Sequence, residues 1–187
     1  MLTTSRVEAI LDLIKKEYSY MNDKPIYIFI KDGNEWCAET TDSYYMLNLQ
    51  ENLYDYNFAE FFYQYLCKEF KLDLTWGKID WQSTVTALAL LHEIGHINQT
   101  MMSGIDHDYI EKMNGVYNDY KVKSRLMDAE QRLVAYRQVS YEYSADEFAV
   151  EIFSKYAIKI LAILNGTTQK EIKNKINMLR RKKCRAR

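Results

Sequence analysis

Apolar residues recur at three- and four-residue steps from Val7 through Ile10, Leu11 and Ile14 to Tyr18, a spacing that lays one stripe along a helix over residues 5 to 20. Ser5-Arg6-Val7-Glu8 reads as its capping box. From Lys24 to Leu49 the period shortens. Ile26 to Ile30 is a β-branched and aromatic run, Asp32-Gly33-Asn34 marks a turn, and Trp36 to Thr40 and Tyr44 to Leu49 give two further strands. Together they predict a small antiparallel meander. Helical spacing returns in residues 57 to 70, where Phe58, Phe61, Phe62, Tyr65, Leu66 and Phe70 form an aromatic stripe suited to a core.

Residues 72 to 78 read as a connector, and Asp80 as the cap of a helix that runs through Met102. That helix is apolar on most sides around Val85, Leu88, Ala89, Leu91 and Ile94, as a buried helix is. The stretch after Met102 has two glycines, mixed charge and weak periodicity, and predicts a loop with one short helix. From Ser124 to Tyr156 neither Gly nor Pro occurs, so one long helix or two with a short break are expected, with Leu126, Leu133, Val139, Phe148, Ile152 and Phe153 on the buried face. Asn165-Gly166 ends the pattern as a C-terminal cap would, and Thr168 with Glu171 opens a last helix. The fold class is therefore α+β, mainly helical, with a small antiparallel sheet in a single domain over residues 1–187.

Composition adds bounds to that picture. A chain of 187 residues with 48% hydrophobic content can bury one sizeable core. The formal net charge of −1 hides a division: nine Lys/Arg against Glu171 give residues 168 to 187 a charge of +8, leaving −9 for the remainder. The basic C-terminal helix and tail could bind nucleic acid, an acidic partner or a membrane surface, although most such tails are simply solvated ends. Cys37, Cys67 and Cys184 are odd in number and widely spaced, which fits a reducing, cytoplasmic setting. No apolar run approaches the roughly 18 residues of a membrane span, so no transmembrane segment is expected.

The chemistry concentrates at His92-Glu93-Ile94-Gly95-His96. Residues four apart share a helix face, so His92 and His96 can offer two imidazole nitrogens to one ion. Glu93 then stands beside the open side of that ion, where it can accept a proton from water. Catalytic zinc commonly takes three protein donors, and Glu142, in Tyr141-Glu142-Tyr143-Ser144-Ala145-Asp146, supplies a third. Asp146, one turn later, can accept a hydrogen bond from the far nitrogen of a ligating histidine. Ala145 and Ala149 would let this helix lie close to the first, with Gly95 as the opposing notch. In the loop, His107 is a candidate donor to a developing oxyanion, as are Tyr109, Tyr117 and Tyr120, although a loop histidine is often simply solvated.

These two motifs resemble those of the gluzincin metallopeptidases, in which HExxH is followed by a glutamate ligand on a second helix. Glu142-x-x-Ala145-Asp146-x-x-Ala149 looks most like the soluble core of the CAAX-prenyl-protease and HtpX-type peptidases, and is also similar to the ImmA/IrrE-type peptidases. The resemblance implies a zincin-like domain with two zinc-binding helices, with His92, His96 and Glu142 as ligands, Glu93 as general base and Asp146 orienting His92. It departs from the membrane-embedded relatives, which carry long apolar helices, and no histidine follows Glu142 to assist a transition state. The expected activity is that of a soluble zinc endopeptidase acting on a protein or peptide. The alternative is a non-catalytic zinc protein that holds a partner on its surface or basic tail.

Overall fold

The computed structural model describes residues 2–31, 36–51, 56–103 and 107–185; the side chains of 56–57, 107–111 and 182–185 are not among those described. The first helix, α1 (Thr4–Lys15), buries Val7, Ile10, Leu11 and Ile14, the stripe read from the sequence. Its cap is Thr3 rather than Ser5: the Thr3 hydroxyl accepts from the Arg6 N–H at 3.4 Å. The helix stops at Lys15, and a 3-10 turn over Ser19–Asn22 follows. Tyr18 thus lies beyond the helix, its ring 5.6 Å from that of Phe148.

Three strands come next: β1 (Ile26–Lys31), β2 (Cys37–Thr40) and β3 (Tyr45–Gln50). The expected meander is corrected here, because the sheet order is β1-β3-β2, with β3 parallel to β1 and antiparallel to β2. Burial explains the order. β3 sends Tyr45, Leu47 and Leu49 into the core, buries Gln50 and keeps Met46 and Asn48 half-covered, so it belongs in the middle. β2, with exposed Glu39 and Thr40, is the strand an edge tolerates. The turn expected at Asp32-Gly33-Asn34 lies outside the described residues.

The aromatic helix α2 (Tyr56–Glu69) turns Phe62, Tyr63, Tyr65 and Leu66 inward, whereas of the expected stripe Phe58 is exposed and Phe61 and Phe70 are half-buried. The connector after it contains a short helix, α3 (Thr75–Ile79), at whose start Asp73 accepts from the Thr75 N–H at 2.8 Å. Then α4 (Trp81–Ser103) runs through the middle of the molecule, with every residue from Thr84 to Ile97 except Ala89 buried. Asp80 caps it as expected, its carboxylate accepting from the Ser83 N–H at 3.1 Å.

Where a loop was expected there is a full helix, α5 (His107–Lys123). Its apolar face is weak because tyrosines serve it: the Tyr120 ring lies 5.6 Å from that of Tyr136, and its hydroxyl donates to the Arg132 carbonyl at 3.1 Å. After a 3-10 turn over Ser124–Leu126, in which Leu126 is exposed instead of on the expected buried face, come two helices, α6 (Ala129–Arg137) and α7 (Ser140–Asn165), divided by a short break. Gly166 closes α7 at φ +61°, and the Thr167 N–H reaches back to the Ala162 carbonyl at 2.9 Å, the pattern of a Schellman cap. Thr168 and Glu171 form the capping box of the last helix, α8 (Gln169–Arg185), the Thr168 N–H donating to Glu171 at 2.7 Å. Among the described residues, no helix is long and apolar enough to cross a membrane.

The central pair is α4 and α7. The sheet lies against α4 through β2 and β3, α1 packs on α7 and β1, and α8 covers α7 and α3. Gly95 explains how closely the pair meets: a Cβ there would stand 3.0 Å from both the Cα and the carbonyl oxygen of Ala145. The notch read at Gly95 and Ala145 is therefore the crossing point of the two helices, three residues from Glu142 and next to His96.

Candidate metal centre

Helical spacing puts His92 and His96 one above the other on α4, and Glu142 enters from the first turn of α7. The two imidazole Nε2 atoms are 3.0 Å apart, and Glu142 Oε2 lies 3.2 Å from that of His92 and 3.8 Å from that of His96. Three atoms at these separations share a centre about 2.0 Å from each, the length of a zinc–nitrogen or zinc–oxygen bond. All three residues are buried, and as a group they could hold a metal ion.

The far nitrogen of each imidazole is already engaged. His92 Nδ1 donates to Asp146 Oδ1 at 2.8 Å, which holds a proton on that side and makes Nε2 the nitrogen that a metal would take once its own proton leaves. His96 Nδ1 faces Gln99 Oε1 at 3.2 Å, while the Gln99 amide donates to the Tyr141 carbonyl at 2.7 Å. The His96 ring also stacks on Tyr141, with centroids 4.2 Å apart. Both imidazoles are thus held with Nε2 toward Glu142.

Glu142 is divided between two tasks. Its Oε2 faces the imidazoles, whereas Oε1 accepts from the Tyr117 hydroxyl of α5 at 2.5 Å and from the Tyr136 hydroxyl of α6 at 2.8 Å. Burial, followed by the negative charge of Glu142, pushes both phenols up, so they remain donors. Arg137, the last residue of α6, is buried against the same group. Its Nη1 lies 3.3 Å from Asp146 Oδ1 and 3.5 Å from Glu142 Oε2, and its guanidinium covers the Phe62 ring at 4.5 Å.

Glu93 faces the sheet. Burial raises its pKa above the ordinary carboxylate value, and the backbone of Ala38 on β2, near enough to lower it, offsets only part of that. Burial also pulls His92 down, but hydrogen bonds with Asp146 and Glu142 outweigh it and raise His92 to about 9. His96, buried and beside that charge, is lowered to about 3. Burial opposes ionisation of Glu142 too, but the His92 hydrogen bond and the charges of both histidines hold it at about 2. The charges fit a cation: with His92 neutral, as metal binding requires, Glu93, Glu142 and Asp146 against Arg137 leave two formal negative charges among residues at most 8% exposed, which a divalent ion would balance.

The structure therefore brings together His92, His96, Glu142 and Asp146, with Glu93 beside the edge strand. The side chain of His107, the candidate oxyanion donor, lies outside the described residues, as does that of Tyr109. Tyr120 bonds the Arg132 carbonyl, and Tyr117 bonds Glu142. Arg137, Tyr136 and Gln99 were not singled out as site residues, and no spacing rule joins them to the motif. The nearest signal was Tyr136-Arg137 at the break just before the helix of Glu142. Comparison with protein-family models, with curated proteins and with solved structures finds no match to this chain.

Proposed function

We propose that this chain is a zinc-dependent endopeptidase of the gluzincin type, with His92, His96 and Glu142 as ligands and Glu93 as general base. The observation that carries the reading is the convergence of the three donor atoms on one centre, with a second glutamate, Glu93, buried next to them on α4, the helix that packs against β2. A purely structural site has no use for that second glutamate. When bound, zinc supplies Lewis acidity and favours ionisation of water near neutral pH.

Glu93 then takes the proton of the water whose oxygen bonds to the scissile carbonyl carbon, and returns it to the amide nitrogen as the C–N bond breaks. Asp146 and Gln99 keep the imidazoles oriented throughout. The proposed substrate class rests on β2, a sheet edge that packs against α4 near Glu93, so that an extended peptide added along that edge would pass the carboxylate. Cys37 and Cys67, both unpaired with each other, are consistent with the cytoplasmic setting included in this reading.

Cleavage of casein or a peptide library tests the proposal. The zinc-loaded chain should cleave, a chelator should abolish cleavage, and Glu93→Gln should keep its zinc while losing about 100- to 10,000-fold in rate. Undiminished cleavage by Glu93→Gln would remove the assigned base.

A further inference from the structure

The two oxygens of Glu142 stand in different surroundings. Oε2 looks toward both imidazoles, at 3.2 and 3.8 Å, while Oε1 takes two phenolic hydrogens, at 2.5 and 2.8 Å. A carboxylate oxygen has about two lone-pair directions, so two donors fill those of Oε1. The carboxylate is buried on every side, and turning it over would break both bonds without water to replace them.

The donors are themselves held. Tyr117 belongs to α5 and Tyr136 to α6, their rings are 6.1 Å apart, and Tyr120 lies against Tyr136 while bonding the Arg132 carbonyl. Each helix therefore contributes one hydroxyl to the same oxygen. A glutamate ligating through both oxygens would give a cation four protein donor atoms instead of three, taking a position that water or a carbonyl needs in a hydrolytic site.

We infer that Tyr117 and Tyr136 are positioning residues that restrict Glu142 to coordination through Oε2 alone, which keeps a place on the cation open to water and substrate. The inference deepens the function proposed above and rests on its ligand set. It makes the outer helices α5 and α6 part of the metal centre, because without their hydroxyls Glu142 is free to rotate and to offer both oxygens.

Cobalt(II) titration of the full-length protein reads coordination directly, since four-coordinate cobalt absorbs visible light far more intensely than five- or six-coordinate cobalt. Tyr117→Phe, Tyr136→Phe and the double variant each remove hydroxyls and leave the rings, and circular dichroism checks their folding. The wild type should take up one cobalt with an intense band. The double variant should lose band intensity, and its zinc dissociation constant, measured against a chromogenic chelator, should rise about 10- to 100-fold. The single variants should show smaller losses of the same kind, and carry the test if the double variant does not fold. Variants with the wild-type band and wild-type affinity would overturn the inference and leave the ligand set intact. A wild type that binds no cobalt would overturn both.

Discussion

The helix pair α4–α7 and the outer pair α5–α6 contribute to one site in opposite ways. The inner pair is close-packed: Gly95 meets the backbone of Ala145 so tightly that no side chain fits, and the donor atoms of His92, His96 and Glu142 project from that seam. The outer pair is open, with Gly115 facing nothing within 4 Å and Val122 61% exposed. Yet it provides Tyr117, Tyr136 and Arg137, the groups that hold Glu142 and balance its charge. Ligands are thus placed by packing, while their orientation and charge are set by polar contacts from a looser layer.

The largest effect that bears on this division is expected from Arg137→Met. Removing the guanidinium leaves Glu142 and Asp146 with the His92 imidazolium as their remaining buried counter-charge, which should cost the metal-free protein about 3–5 kcal/mol in denaturant melts. Added zinc should recover much of that loss by supplying positive charge. A loss under about 0.5 kcal/mol would reduce the outer pair to a mere cover.

Next comes pH. His92 is raised from 6.5 to about 9 in the metal-free protein, so the stability it contributes is fully present below 6.5 and disappears as pH rises through about 9. Metal must displace that proton, so apparent zinc affinity should climb about tenfold per pH unit in this window and level off near 9. A plateau already reached near 6.5 would mean that Asp146 and Glu142 do not hold the imidazole as described.

The smallest effects come from a matched pair of glycine substitutions. Gly95→Ala should destabilise by about 1–3 kcal/mol through overpacking against the Ala145 backbone. Gly115→Ala, in open space on α5, should instead stabilise by up to about 1 kcal/mol from helix propensity. Equal effects at the two positions would erase the distinction between a packed seam and an open layer; melting curves of both variants decide it.

Local spacing made the inner pair readable from residues alone. Positions four apart must share a helix face, which pointed to His92 with His96 and to Glu142 with Asp146, and small residues at Gly95 and Ala145 marked the crossing. The outer contributions had no such mark. Arg137 and Tyr136 reach Glu142 from beyond a helix break, and Tyr117 from a segment whose inward face is tyrosine, a residue that reads as neither core nor surface. The sheet order was hidden for a related reason: strand pairing is non-local, and β3 takes the middle because of what covers it on both sides. The first helix shows the local limit, since Thr3 and Ser5 are both competent caps and only the backbone decides between them.

The account depends on Glu142 completing a three-donor seat for one divalent ion. Zinc content of the purified chain, measured after equilibrium dialysis against limiting free zinc, tests this most directly. One zinc per wild-type chain, kept in Glu93→Gln and lost in Glu142→Ala, is the predicted result; a full zinc complement in Glu142→Ala, or none in the wild type, would contradict it.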